Sequence, residues 1–467
     1  MTQISKNLAY SNKYILYVFV VSFFCFFLTT SCRKYLDEKS NNAITVPTTL
    51  TDLQGLLDDA SSVMNVGLTP AFGEASSDDY FLLKSDYDSR LTREQRAYIW
   101  LPSDYSFPND WSRSYGPVYN SNYCLEMVEK IPITAQNEIS WKNVKGSALF
   151  YRAYNFLNLA WNHAKAYDEN SFNSDLGIAL RLESDFNIPS VRGNVKETYE
   201  RIISDAKDAI SFLPNIALHQ YRPSKAAAYG LLARAYLSMR KYDSAYKYSN
   251  LCLSLKSDLV NYADFPISTT STNPTFVPFN QETIFYTDMF STFISNLAVT
   301  RAKVDTVLYL TYANNDRRKY LFFVATGLYQ RFKGSYSGSG FFTGIATDEM
   351  FLIRSECNAR LGNITSAMTD LNTLLAKRWN SGTFIPLMAS DANDALNKIL
   401  MERRKELIFR GLRWMDIKRL NREGRNIILN RLVDGQIYSL QPNANYFALP
   451  LPTDIINLTN MPQNIYP

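Results

Sequence analysis

Histidine is scarce in this chain: His163 and His219 are the only two among 467 residues, and they lie far apart. No HExxH, GxSxG or Walker string occurs. The motifs of zinc hydrolysis, serine-nucleophile chemistry and P-loop phosphate binding are therefore missing. Cysteine is nearly as sparse, with five in all and no CxxC. Outside the N-terminal region only Cys124, Cys252 and Cys357 remain, an odd number at wide spacing. They read as small buried hydrophobes, not as a disulfide frame or a metal site. The formal charge is only +5 and no dense basic run is present, which gives no case for nucleic acid. The longest N-terminal apolar run, Tyr14 to Leu28, has fifteen residues. As a helix it rises about 22 Å, short of the roughly 30 Å hydrocarbon core of a bilayer.

That run has a different reading. Lys6 and Lys13 are the only charges before Arg33, and Thr29, Thr30 and Ser31 precede Cys32. A basic start, a short apolar segment and small residues before a cut make a secretory signal over residues 1–31. Cys32 then looks like a lipobox cysteine, with Thr29 where lipoboxes usually place Leu. Acyl chains on its thiol, at about 0.8 kcal/mol per buried CH₂, would anchor the mature chain to a membrane without spanning it. Residues 32–49 are polar, carry Pro47 and read as a tether.

Helical periodicity dominates the chain beyond the tether. Leu50 to Met64 has helical spacing, and helices resume at about Ser114. Trp111, followed by Tyr115 and Tyr119, reads as core. Trp141 to Tyr167 is a long helix. Asn194 with Glu197 three residues on predicts a capping box, followed by the stripe Val195, Tyr199, Ile202, Ile203, Ala206, Ile210 and Leu213, which Pro214 stops. Tyr229, Leu232, Ala233, Tyr236 and Leu237, a break at Arg240 to Asp243, then Ala245, Tyr248 and Cys252 match the small and aromatic positions of a tetratricopeptide helix pair. A second copy holds Met350, Ile353, Cys357 and Leu361, then Ala367, Leu371 and Leu374. Such pairs bury their apolar faces only against neighbours, so the long helix with Asn194–Leu213, and the Met401 helix with a partner, are expected to complete the stack.

Two long segments break this pattern. Residues 70–112 are rich in Asp, Ser, Tyr and Phe; a loop this long in a compact protein is functional or disordered, and its aromatics argue against disorder. Residues 258–347 form a non-repeating insert with strand-like runs at Thr283 to Tyr286 and Tyr320 to Ala325. The stretch Gly334 to Gly340 lacks a following Lys-Ser/Thr and reads as a flexible loop. Near the end, Pro450 and Pro452 favour an extended tail over the surface. The adjacent carboxylates Asp78 and Asp79 point opposite ways on a strand, so they do not read as a glycosidase pair.

The most specific stretch is Met401 to Leu420, MERRKELIFRGLRWMDIKRL. Leu407, Ile408, Leu412, Met415 and Leu420 recur at helical spacing beside a charged flank. Glu402 with Lys405, and Glu406 with Arg410, are spaced to pair along one helix. Gly411 costs about 1 kcal/mol inside a helix, or marks a bend or a close backbone approach. Glu402 to Leu407, Gly411 and Arg413 to Arg419 together resemble the C-terminal signature of the SusD/RagB family, outer-membrane lipoproteins of Bacteroidetes that capture nutrients, often glycans. Tyr35-Leu36-Asp37, Glu74 to Tyr80, Arg152-Ala153-Tyr154 and the ending Gln463 to Pro467 are similar to further family segments. Arg410 departs from the small polar group or Glu usual there.

The resemblance implies a mostly α fold, a tetratricopeptide-like helix-pair superhelix with a loop-rich ligand-binding face. Its regions would be 50–257 with the recognition loop 70–112, the insert 258–347, and 348–467. It implies an outer-membrane location, capture of an oligosaccharide or other nutrient without catalysis or cofactor, and a SusC-like TonB-dependent barrel that this protein covers as a lid. Because Tyr, Phe and Trp make up 14% of the chain and an aromatic face can cover a sugar ring, Asp79, Tyr80, Trp100 and Tyr105 in the first loop and Tyr336 in the insert are the candidate ligand residues. A lipid-anchored scaffold that binds only proteins fits the repeats equally well.

Overall fold

Small side chains at the repeat positions decide the architecture. The computed structural model describes residues 46–291 and 294–466; the leader, Tyr35-Leu36-Asp37 and the lipidation candidate Cys32 lie outside them. Helices of eight residues or more are, in chain order, α1 Leu50–Leu57, α2 Asp110–Val128, α3 Glu138–His163, α4 Val195–Phe212, α5 Lys225–Ser238, α6 Tyr242–Leu255, α7 Thr347–Arg360, α8 Ile364–Ala376, α9 Ala392–Glu406 and α10 Arg413–Asn421. None of the described helices is long and apolar enough to cross a membrane. The described residues from Thr49 onward belong to one compact unit.

The two predicted repeats are the hairpins α5–α6 and α7–α8. Ala226, Ala227, Ala228, Ala233 and Ala235 are buried along α5, which lets neighbouring backbones approach. At Gly230 an added Cβ would stand 2.6 Å from Ile345 Cγ2. The turns close through Arg240 and Gly362, both at positive φ. Tyr236 lies parallel to Tyr248 with centroids 5.5 Å apart, and Ile353 is fully buried. The capping box opens α4 as predicted: Asn194 Oδ1 accepts from Glu197 N at 2.8 Å, and Asn194 N donates to Glu197 Oε2 at 3.0 Å. The helices α3 and α4 pack together, as do α7 and α9, so each repeat does gain the neighbours its apolar face requires. Cys124, Cys252 and Cys357 are free and buried in this helical core. α2 starts earlier than predicted, because Asn109 caps it by accepting from Ser112 N at 2.9 Å.

Residues 70–112 and 258–347 are loop-rich, but they turn their aromatics inward. They build a second hydrophobic core, and the aromatics drive it. Strand Tyr80–Phe81 pairs antiparallel with Lys303–Val304, which joins the two segments directly. Thr283–Phe285 pairs with Ile345–Ala346, and Phe323–Thr326 forms a hairpin with Tyr329–Phe332; the expected second strand begins after a short helix, Arg318–Leu321. Phe332, Phe341 and Phe409 stack with centroids 5.1 to 6.3 Å apart, and Trp414 meets Phe447 at 4.6 Å. The segment Gly334 to Ser337 is packed, not flexible: a Cβ on Gly334 would fall 2.7 Å from the Phe322 backbone. The C-terminal prolines do not lead to a surface tail either. Leu449 and Leu451 are buried, and a helix, Thr453–Thr459, follows. Leu449 N donates to Asn162 O at 2.8 Å, and Asn464 Nδ2 donates to His163 O at 2.8 Å.

The Met401 to Leu420 stretch is two helices, broken where Phe409 and Gly411 take positive φ. Its charged flank is not solvated. Arg403, Lys405, Glu406, Arg410, Asp416, Lys418 and Arg419 are all buried. Glu402 does pair with Lys405, at 2.8 Å. Glu406 does not meet Arg410, because the helix ends between them. It receives Arg318 at 2.9 Å and Arg378 at 2.7 Å instead, while Arg410 turns to Asp348 at 3.1 Å. Arg419 binds Glu356 and Asp416. Lys418 Nζ donates to Trp161 O and Ala164 O at the carbonyl end of α3, and burial pushes its pKa down to about 7. Removing one partner of a buried pair strands the other's charge and costs about 3–5 kcal/mol. Glu406→Ala, which takes one carboxylate from both Arg318 and Arg378 while leaving them Asp316, Glu402 and Glu282, is expected to lose about that much in urea unfolding.

Candidate functional site

The five predicted ligand residues are interior. Asp79, Tyr80, Trp100, Tyr105 and Tyr336 are each buried, and each polar atom has a protein partner. Asp79 accepts from Arg404 at 2.9 Å; burial nevertheless raises its pKa. Tyr80 donates to Ala75 O at 2.7 Å and Trp100 Nε1 to Ser76 O at 2.9 Å. Tyr105 donates to the Pro450 carbonyl. Tyr336 donates to Glu282 at 2.6 Å and contacts the Tyr262 hydroxyl at 2.7 Å. The Arg431 guanidinium covers the rings of Tyr80 and Tyr98. These side chains clamp the second core, and in this structure no sugar can reach their faces. Asp78 pairs with Arg413 at 2.7 Å, an ion pair that holds its carboxyl below the usual range against the opposing effect of burial.

One group of carboxylates comes close together: oxygens of Glu282, Asp348 and Glu406 lie within 4.8 Å of one another. Arg378, Arg410 and Arg318 already face them, so the cluster is a charge-balanced knot of the core. Burial pushes the Glu282 pKa up to about 7, with Arg378 opposing.

The better site is an open cavity of about 410 Å³ between α2, the connection from Leu180 to Val191 and the helix Thr453–Thr459. Its floor is Trp111, 4.9 Å from the Tyr115 ring. Tyr115 donates to Ala179 O at 2.6 Å, so its hydroxyl is fixed inward. Burial raises the Tyr115 pKa. The connection is held in place: Asn122 Nδ2 donates to Arg181 O at 3.0 Å and Glu183 O at 3.2 Å, while Ser184 N and Oγ donate to Glu126. Asn122 is itself oriented by Arg152, whose Nη1 donates to it at 3.0 Å while its Nε reaches Asp205 at 2.7 Å. The Arg152 motif therefore positions the wall of the cavity.

Two lining aromatics are open. Tyr119 is 48% exposed and Phe186 is 81% exposed, and neither has a ring contact or side-chain hydrogen bond among the described residues. Trp111 is core as expected, whereas Tyr119, two turns on at helical spacing, turns out of the core along the helix. Phe186 was missed. Its signal is a lone large aromatic inside the polar run Ser184-Asp185-Phe186-Asn187. Exposed rings on a fixed frame, with Asn122, Ser190 and Thr459 among the polar lining, suit a flat ligand bearing hydroxyls on its edge.

A family model described as SusD-like, "Starch-binding associating with outer membrane", matches residues 34–237. The fold is shared with a SusD superfamily protein from Bacteroides thetaiotaomicron VPI-5482, at TM-score 0.71 and 19% identity over 89% of this chain and 100% of that one. A SusD superfamily protein from Bacteroides fragilis aligns at TM-score 0.68 and 20% identity, covering 89% and 99%. A SusD-like carbohydrate binding protein from Bacteroides vulgatus ATCC 8482 aligns at TM-score 0.64 and 18% identity, covering 88% and 96%. Residues 34–237 thus match a SusD-like family model, and the described residues share the fold of these SusD superfamily structures. Curated proteins give no match. The matched residues include α2 and the connection from Leu180 to Val191, while the helix Thr453–Thr459 lies beyond them.

Asp110, next to the floor residue Trp111, is fully buried and accepts from Ala71 N and Phe72 N at 2.8 Å each. Burial pushes its pKa up to about 7. A carboxyl whose pKa is higher folded than unfolded stabilises the fold at low pH and loses that contribution as pH rises through the folded value. Asp110→Asn is expected to remove this group's share of the stability loss between about pH 4 and pH 7, on the order of 2–4 kcal/mol, read from urea midpoints across that window.

Proposed function

We propose that this SusD-like protein captures an oligosaccharide at the cavity walled by Tyr119 and Phe186, without altering it, as a lipid-anchored outer-membrane protein lying over a SusC-like TonB-dependent barrel. The observation that carries capture is the pair of exposed, unstacked rings on a frame held by Asn122 and Arg152. A soluble fold gains nothing from leaving such rings in water, and an open aromatic surface marks a binding site. The description of the family model and the carbohydrate-binding relative point to the same ligand class. Anchoring rests on Cys32 after a short apolar leader, and the barrel on the family resemblance. Tetratricopeptide-type stacking supplies a rigid body for such a lid.

A protein-only scaffold is the second reading, and one feature favours it. An apolar cavity of about 390 Å³ between α3 and the segment after α4 carries Ile139, Ile216 and Leu218, all exposed.

The two readings separate cleanly. Tyr119→Ala with Phe186→Ala is expected to weaken oligosaccharide binding at least tenfold in calorimetry, since truncating such contacts costs about 1–3 kcal/mol each, with the unfolding midpoint unchanged. Unaltered saccharide binding, or none in the parent protein, would move the reading to the scaffold. Pull-down of a TonB-dependent barrel from native membranes tests the lid.

A further inference from the structure

The cavity has a charge character of its own. Among the described residues Arg181 is the one cation in its lining, and its guanidinium is engaged within its own loop. It donates to the Ile188 carbonyl, to Asp185 O at 2.5 Å and to Ser190 Oγ at 3.3 Å. Arg192 stands behind the wall, buried, with its donors on Gly177 O, Pro462 O, His163 O and Asn464 Oδ1. The carboxylate on the wall is placed differently. Glu183 lines the cavity and is exposed, and its side chain makes no ion pair or hydrogen bond among the described residues. Asp185 and Glu126 lie in the same loop and its anchor, accepting only from Asn187 and from Ser184. A ligand entering here meets three carboxylates, Glu183, Asp185 and Glu126, against the one lining guanidinium of Arg181, whose Nη donors are already held by neutral oxygens of its own loop.

We infer that the cavity takes uncharged saccharides, and that Glu183 turns away chains carrying uronate carboxylates. This rests on saccharide capture at the same cavity. A uronate held there would bring its carboxylate beside Glu183, while Arg181 Nη1 and Nη2 already donate within the loop. Both groups stay hydrated, so the discrimination is modest: about five-fold in affinity for each carboxylate brought to contact distance. It is long-ranged at low salt and is screened at high salt. Hydroxyl groups face no such cost, because Ser190, Thr459 and Glu183 itself can accept from or donate to them.

The test is calorimetry on the full chain with neutral glucan, xylan and mannan oligosaccharides, and with oligogalacturonate of the same length, in low and in high salt. A neutral chain is expected to bind with little salt dependence. Oligogalacturonate is expected to bind more weakly and to gain affinity as salt rises. Glu183→Gln is expected to raise the ratio of uronate to neutral affinity about five-fold in low salt. Oligogalacturonate bound by the parent protein as tightly as any neutral chain, or a ratio that Glu183→Gln does not move, overturns the inference. If that uronate binding is lost in the Tyr119→Ala, Phe186→Ala variant, capture at the cavity stands and charge selection alone falls. If no saccharide of either kind binds, capture itself falls.

Discussion

Glu406 is where the helical stack and the aromatic core are tied together. Its two oxygens take Arg378 from the end of α8 and Arg318 from the insert. Arg378 goes on to Glu282 beside the first strand of the insert, and Arg318 to Asp316 and Glu402. Every charge in this chain of contacts except the partly exposed Glu402 has left water. An ion in such a place is tolerable only with all of its partners present. Segments far apart in sequence must therefore dock together or not at all. The Tyr262 ring lies under Arg378 at 4.1 Å and Tyr312 under Lys405 at 5.0 Å, so the aromatic core also seals the knot from solvent.

The cavity depends on the same kind of control at longer reach. Asp205 on α4 holds Arg152 on α3, Arg152 holds Asn122 on α2, and Asn122 holds the carbonyls of the loop that carries Phe186. The three helices are the most tightly packed part of the stack. An exposed ring at the end of this relay is pre-positioned, which reduces the ordering cost of binding.

Local signals in the sequence were legible and distant ones were not. The capping box at Asn194, the alternation of small and large residues in the two hairpins, and the punctuation by Pro214 each act within a few residues, and each appears in the structure. The charged signature failed as a surface helix because the partners that neutralise it, Glu282, Arg318, Asp348 and Arg378, lie up to about a hundred and twenty residues away. The family resemblance marked the stretch as important without saying that it is buried. Aromatic content misled in the same manner. It located 70–112 and 258–347 as special segments, but a ring that covers a sugar and a ring that covers another ring look alike in sequence. Tyr80 and Phe186 differ only in what surrounds them. A helical stripe such as Trp111, Tyr115 and Tyr119 gives no sign of where along its length the neighbouring element ends.

The clasp of the last residues onto α3 sets the order of events in making this protein. Asn464 and Leu449 bond the end of α3, Tyr105 reaches Pro450, and Arg431 satisfies the carbonyls of Ser77 and Tyr80. Contacts that span some three hundred residues form late and raise the contact order. An amino-terminal half alone would lack the chain segments that close its own interior. A product truncated near the carboxyl terminus would leave that interior open to water and to proteolysis.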